Sequence, residues 1–376
     1  MRPVKHLLIT SLAISFLLTL TTGASAATWS LTTTTNPSTH SALLDISCTK
    51  GPECTAVGYS GVTNSTLAER WNGTSWSTQS TPAVEENELL RGVSCTSSTS
   101  CLAVGYSLAG NPRPEQWNGT TWSTLTFAKP PSSTSILPTD ISCISGTSCI
   151  AVGSYLKAGS IFPLAEIWGG KEWAVQSPPV PGGATGTRFA RVSCTSTLAC
   201  TGVGHYTNAE GVTVPLAERW NGKEWSLQTT PSPAGETDTE LLGVSCTSSE
   251  ACTAVGGAQH GANTQKTLVE SWNGKEWAIQ SSPNPKEAKA SVLQDVSCTS
   301  AEACIAVGDF VDASPKNVTL AESWNGKEWS IQTTANPVGS TFAALWGVSC
   351  ITSISCFAGG FYEGAGGLLT LSEKYS

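Results

Sequence analysis

The sequence predicts an all-β fold: a seven-bladed β-propeller with four antiparallel strands per blade, one disulfide in each blade, and a ring closed by the N-terminal strand. Three observations carry this expectation. Cysteine pairs recur seven times at a period near 50 residues. Each period holds four short strand-like runs and no capped helical pattern. The two ends of the chain match complementary parts of one repeat.

The period is set by Cys48, Cys95, Cys143, Cys194, Cys246, Cys298 and Cys350, spaced 47 to 52 residues apart. Each has a partner six residues on: Cys54, Cys101, Cys149, Cys200, Cys252, Cys304 and Cys356, so all 14 Cys are used. Repeats of this length form solenoids, propellers or arrays.

A typical unit reads "LLGVSCTSSEACTAVGG" (241–257), a variable stretch, then "LVESWNGKEWAIQSSP" (268–283). The runs GVSCTS and CTAVG are joined by a polar turn. LVESW and WAIQS are joined by Asn-Gly-Lys-Glu, and Asn-Gly between strand-like runs is a strong hairpin signal.

The ends choose the ring. "ATWSLTTTTNP" (27–37) matches "EWSIQTTANP" (328–337), a fourth strand. "TLSEKYS" (370–376) matches "TLAESWN" (319–325), a third strand, with Tyr375 where Trp324 stands. Residues 27–37 are therefore expected to complete the last blade, 345–376. A closed ring leaves no long sheet edge.

Each unit resembles a kelch repeat, as in the propeller of galactose-oxidase-like proteins. Val255-Gly256-Gly257 looks like the kelch strand-end glycine doublet, and Trp272 and Trp277 look like its spaced aromatic and tryptophan. The other six units keep one glycine, at Gly58, Gly105, Gly153, Gly204, Gly308 and Gly360, and the Cys pair is not part of the kelch pattern. The resemblance implies a seven-bladed propeller. It does not bring the copper site, which needs Tyr, His and a Cys crosslinked to Tyr: every Cys here is committed to a pair.

Aromatic pairs at 71/76, 117/122, 168/173, 220/225, 272/277 and 324/329, with Tyr375/Trp29, give one pair per blade. Repetition beside a turn points to packing between blades rather than to ligand stacking. Cys-x5-Cys is not a zinc spacing and no His lies nearby in sequence, so local disulfides are expected across three-residue hairpin loops. Glu69, Glu115, Glu166, Glu218, Glu270, Glu322 and Glu373 precede each aromatic pair, and a Ser precedes each first Cys. Sevenfold identical carboxylates suit blade-to-blade hydrogen bonding better than catalysis, which needs unlike environments.

Residues 1–26 read as a secretory signal peptide: Arg2 and Lys5, then "LLITSLAISFLLTL", then an Ala-x-Ala site ending at Ala26. Residues 27–376 form the expected propeller. Without the leader the formal charge is 18 − 28 = −10, which argues against nucleic acid or an anionic membrane as partner. A secreted, extracellular monomer is expected.

Function should lie where the units differ. The loops after each second strand and between blades vary, and both emerge on one face. Near their starts stand Tyr59, Tyr106, Tyr155, His205, Tyr206, His260, Phe310, Phe361 and Tyr362. Asp45, Arg91, Asp140, Arg191, Asp295 and Trp346 mark the starts of the innermost strands. These are the candidate ligand contacts. No cofactor or metal is expected: His40, His205 and His260 show no ligand spacing, and no nucleophile elbow or phosphate loop is present. Two functions stay open. One is a non-catalytic binder of an extracellular glycan or protein. The alternative is a carbohydrate-active enzyme, a glycoside hydrolase or lyase, using loop carboxylates such as Asp45, Asp140 and Asp295.

Overall fold

The computed structural model describes residues 27–82, 86–261 and 264–376. The expected leader lies outside the described residues. The fold is all-β, with 28 strands and no helix among the described residues.

After β1 (Trp29–Thr32) the chain makes consecutive four-stranded antiparallel units. The first is β2 (Ser41–Cys48), β3 (Cys54–Ser60), β4 (Ser65–Trp71) and β5 (Trp76–Gln79). The second is β6 (Glu88–Ser97), β7 (Ser100–Ser107), β8 (Glu115–Trp117) and β9 (Trp122–Thr124). The third is β10 (Ser135–Ser145), β11 (Ser148–Lys157), β12 (Ser160–Trp168) and β13 (Trp173–Val175). The fourth is β14 (Gly186–Ser196), β15 (Ala199–Thr207), β16 (Thr213–Trp220) and β17 (Trp225–Gln228). The fifth is β18 (Thr237–Ser248), β19 (Ala251–His260), β20 (Thr264–Trp272) and β21 (Trp277–Gln280). The sixth is β22 (Ala290–Ser300), β23 (Ala303–Val311), β24 (Asn317–Trp324) and β25 (Trp329–Gln332). The last unit has β26 (Phe342–Thr352), β27 (Ser355–Gly364) and β28 (Gly367–Tyr375), and β1 is its fourth strand, with Trp29 opposite Tyr375.

The cysteines face each other because β2–β3 and its counterparts put them in register. Cys48 opposes Cys54 and Cys95 opposes Cys101, with Cα atoms 4.0 Å apart. All seven local disulfides form. The loop differs from the expected three residues. In the second unit Ser97 pairs with Ser100, so the turn is Ser98–Thr99 and the extra residue is a bulge at Thr96. The Trp hairpins close through Asn, except in the third unit, where Gly169 stands in its place: Asn72 Oδ1 accepts the Thr74 and Ser75 N–H groups at 2.9 and 3.0 Å.

A second bulge explains the repeated glycine. In the first unit Leu43 pairs with Gly58 and Asp45 with Val57, leaving Leu44 unpaired. The bulge drives the first strand onto the second: a Cβ at Gly58 would lie 1.9 Å from the Ala42 carbonyl oxygen. The same clash, at 1.9 to 2.2 Å, would occur at Gly105, Gly153, Gly204, Gly256, Gly308 and Gly360. Only a residue without a side chain fits there.

Neighbouring units share their cores. Val57 and Ala68 of the first unit pack with Leu90, Trp117 and Trp122 of the second. The last unit's Phe357 packs with Leu43, Trp71 and Trp76 of the first. The paired aromatics are buried in these seams, apart from a half-buried Trp324, with Trp71 and Trp76 centroids 5.7 Å apart and both against Phe357. A chain of hydrogen bonds runs alongside. The Cys95 N–H donates to Ser47 Oγ at 3.0 Å, Cys143 to Ser94, Cys194 to Ser142, and so on to Cys350 and Ser297. The Cys48 N–H donates to Ser349 Oγ at 2.9 Å.

The seven glutamates are all fully buried, and the expected inter-unit hydrogen bonds hold for only some of them. Glu166 and Glu373 accept the N–H of Ala128 and Ala335 in the preceding unit, and Glu69 accepts the Thr35 hydroxyl. Glu322 accepts the Ser282 hydroxyl, while Glu115 pairs with Arg113. Among the described residues Glu218 and Glu270 have no hydrogen-bond partner. The residues where Ala128 and Ala335 stand are there Pro179 and Pro231, which have no N–H to give. Burial raises both carboxyls to about 8, so they are protonated at neutral pH.

Candidate functional site

The bulge that demands the glycine also builds a pocket. Its unpaired residues are Leu44, Arg91, Thr139, Ala190, Leu242, Gln294 and Trp346, one per unit. All seven line one cavity of about 250 Å³. Bulges re-aim side chains out of the alternating pattern, and here they point one side chain per unit to a common centre. Leu137, Ser154, Phe189, Tyr106, His205 and Arg188 complete the wall, and Arg191 forms the floor.

The floor is an ion cluster. Arg191 Nη1 lies 2.8 Å from Asp45 Oδ1 and 3.2 Å from Asp140 Oδ1, and its Nε lies 3.9 Å from Asp295 Oδ1. Its Nη2 donates to the Trp346 carbonyl at 3.1 Å. Each Asp also accepts a backbone N–H: Asp45 from Val93, Asp140 from Val192 and Asp295 from Val348, at 2.7 to 2.9 Å. Where the first strands carry no Asp or Arg they carry Gly92, Gly243 and Gly347. A Cβ there would lie 2.7 to 2.8 Å from the Cα of Asp140, Asp295 and Asp45. Small and charged residues thus share a crowded centre. Burial alone would lower the Arg191 pKa, but the three carboxylates raise it further than burial depresses it. Burial pushes Asp140 and Asp295 up against the pull of Arg191.

Above this floor the groups are less committed. The Arg91 guanidinium sits 5.1 Å from the Trp346 ring centroid, a cation–π contact. Trp346 in turn leans on Phe361, centroids 5.9 Å apart. His205 Nδ1 stands 3.6 Å from Glu240 Oε2, too far for a good hydrogen bond. Burial, with Arg188 nearby, lowers the His205 pKa to about 4, so the ring is neutral at physiological pH.

Of the candidates from the sequence, the pocket gathers Arg91, Tyr106, Arg191, His205 and Trp346. Tyr59 and Phe361 pack just behind it with Ala42, Leu44 and Leu89. The others lie elsewhere. Tyr155 stacks on Phe162 at 5.5 Å and packs on the third unit's core. Tyr206, Phe310 and Tyr362 pack on three different seams. His260 is exposed and bonds Glu236 at 2.9 Å. Asp45, Asp140 and Asp295, expected as loop carboxylates, are instead buried inside their strands and held by Arg191. The sequence reading missed Arg188 and the bulge residues Leu44, Thr139, Ala190, Leu242 and Gln294. Their signal was position: each bulge residue stands two before the Ile or Val that opens the repeated Ile/Val-Ser-Cys run. No group of three or more His, Cys, Asp or Glu that could hold a metal is found among the described residues.

No family model matches the sequence, and no curated protein is similar to it. Solved structures are similar in fold. A structure of YCF48 bound to D1 peptide has 13% identity and a TM-score of 0.57, covering 92% of this chain and 96% of that one. A GH74 xyloglucanase from Xanthomonas campestris has 11% identity and a TM-score of 0.56, covering 89% of this chain. This chain spans about half of that enzyme, 53%. A protein of unknown function from Dyadobacter fermentans has 9% identity and a TM-score of 0.52, covering 93% of this chain and 98% of that one. The neighbours are β-propellers, and the likeness shows that fold alone.

Proposed function

We propose that the chain is a secreted, non-catalytic, seven-bladed β-propeller that binds an extracellular glycan in the pocket where its first strands converge. The ring reading is supported by β1 on β28, by Phe357 in the first unit's core, and by the Cys48–Ser349 hydrogen bond. Residues 1–26 then act as the leader, and 27–376 form one domain. Seven disulfides fit an oxidising compartment. No helix among the described residues is long and apolar enough to cross a membrane.

One observation carries the binding reading. Every unit contributes one bulge residue to a single cavity, and only Leu44 and Leu242 are alike, while the repeated residues around it are spent on packing. At about 250 Å³ the cavity is smaller than the roughly 300–1,000 Å³ typical of pockets for drug-sized ligands. That suits one sugar ring better than a protein surface. Trp346 and Tyr106 supply apolar walls and Ser154 a hydroxyl.

A catalytic reading has one observation in its favour: burial raises the Asp140 and Asp295 carboxyls, as a general acid requires. Against it, neither lines the cavity and both are bonded to Arg191 and backbone amides. A glycan array with the purified protein tests the binding reading. Bound glycans should be lost by Trp346→Ala and recovered unhydrolysed after incubation with the wild type. Binding that survives Trp346→Ala would remove the pocket from the account, and released reducing ends would establish the catalytic one.

A further inference from the structure

We propose that the pocket selects a carboxylate-bearing sugar, a uronic acid residue, through Arg91 and Arg188. The proposal rests on the glycan-binding reading and names the chemical class of its ligand. Among the described residues three guanidiniums line the cavity and no carboxylate does. They are not equivalent. Arg191 is saturated by Asp45, Asp140, Asp295 and the Trp346 carbonyl, so it serves the fold. The guanidiniums of Arg91 and Arg188 contact no carboxylate and make no hydrogen bond among the described residues; Asp45 and Asp140 act on Arg91, and Glu240 on Arg188, only at longer range.

The two free cations differ in burial, and the difference assigns their tasks. Arg188 is exposed at the rim. Arg91 is half-buried against Trp346, where burial disfavours its charge. A guanidinium taken from water without an anion is costly, and supplying the anion recovers that cost. The chain as a whole is acidic, with a formal net charge of −8, so two arginines lining one cavity without a carboxylate in contact are not a general surface property. The guanidinium fork matches a planar carboxylate, which it can hold with two parallel hydrogen bonds. Glu240, which interacts with Arg188 and stands 3.6 Å from His205, is outside the lining, and His205 is neutral. The floor carboxylates face Arg191 and the amides of neighbouring strands. An arriving carboxylate therefore meets Arg91 and Arg188 first, with the Trp346 and Tyr106 rings beside its sugar ring.

The experiment is titration calorimetry of the full secreted chain against galacturonic and glucuronic acid oligosaccharides. Their methyl esters, the neutral galactose and glucose counterparts, and a free-carboxylate acidic tetrapeptide form the comparison set. Uronates should bind about tenfold or more tighter than their esters, since a charge-assisted hydrogen bond is lost on esterification. The preference should shrink with salt. Arg188→Gln, exposed and without an ion pair, should remove most of the preference without changing melting temperature, and Arg91→Gln, which also gives up the cation–π contact with Trp346, should likewise remove the preference. Equal binding of acid and ester overturns this proposal while leaving a glycan site in place. Tighter binding of the tetrapeptide than of any sugar overturns both the sugar class and the glycan reading. No binding of any of these sugars overturns the uronate proposal, and a blank glycan array besides would overturn the glycan reading.

Discussion

Arg191 of the fourth unit and Asp45 of the first are joined by a 2.8 Å ion pair across the centre of the molecule, with side chains only 11% and 6% exposed. One side chain thus ties together the first strands of the first, third and sixth units through Asp45, Asp140 and Asp295. It also closes the floor of the pocket, so stability and site share one group.

Removing that cation should therefore be severe. Arg191→Met leaves three buried carboxyl groups without their partner, and loss of one member of a buried ionic network costs roughly 3–5 kcal/mol. Thermal unfolding should show a large fall in melting temperature. A fall no larger than that of an exposed Arg188→Met control would mean that the cluster holds nothing together.

The bulge glycines should tolerate no side chain. A Cβ at Gly105 would meet the Leu89 carbonyl oxygen at 1.9 Å, and one at Gly308 the Val292 carbonyl oxygen at 2.0 Å. Backbone must move to admit alanine, so Gly105→Ala is expected to destabilise by on the order of 2–3 kcal/mol. Gly182, on a loop with no positive φ and nothing within 4 Å, is the control site. Denaturant midpoints would decide, and equal midpoints for the Gly105 and Gly182 variants would contradict the account.

Deleting residues 27–37 tests the proposed ring. It removes β1 and the bonds that Thr34 and Asn36 make to Thr370 at 2.7 to 3.1 Å. It also exposes the edge of β28, so a lower melting temperature and self-association are expected. An unchanged melting temperature with a monomeric elution profile would argue for an open array.

The buried glutamates make stability depend on pH. An unfolded Glu titrates near about 4.3, whereas Glu218 and Glu270 are held near about 8 by burial. Between those values the folded protein keeps protons that the unfolded chain releases, so stability falls as pH rises from about 4.3 to about 8. His205, lowered to about 4, acts in the opposite sense but only below its unfolded value of about 6.5. The window from pH 6.5 to 8.5 therefore isolates the carboxyls. Melting temperature should fall across it, and Glu218→Gln with Glu270→Gln should flatten the fall by on the order of 1–2 kcal/mol per site at pH 8. A wild-type curve that rises across that window would refute the assignment.

Repetition made most of the fold legible in the sequence. Seven copies of one pattern expose which residues serve the unit: the Cys pair, the Trp pair, the buried Glu and the strand-end glycine. Each acts through local geometry, across a hairpin or a few residues along a strand, so spacing alone places it. The matching ends at Trp29 and Tyr375 likewise fixed the pairing of β1 with β28.

The site was less legible because it depends on a backbone irregularity and on distance through space. A one-residue bulge sends Leu44, Arg91, Thr139 and Trp346 into the cavity, and the β alternation that guides a sequence reading gives no sign of it. Aromatic residues after the second strands looked alike in sequence, yet Tyr106 faces the cavity while Tyr206 and Phe310 cover seams. Proline at 179 and 231 leaves Glu218 and Glu270 unpartnered, because the missing N–H belongs to the preceding unit. The repeats and their strands are thus written in the chain, since their forces act between near neighbours. Whether Asp45 is a free acid or Arg191's partner was decided only when units far apart in sequence met at one centre and low dielectric forced their charges to pair.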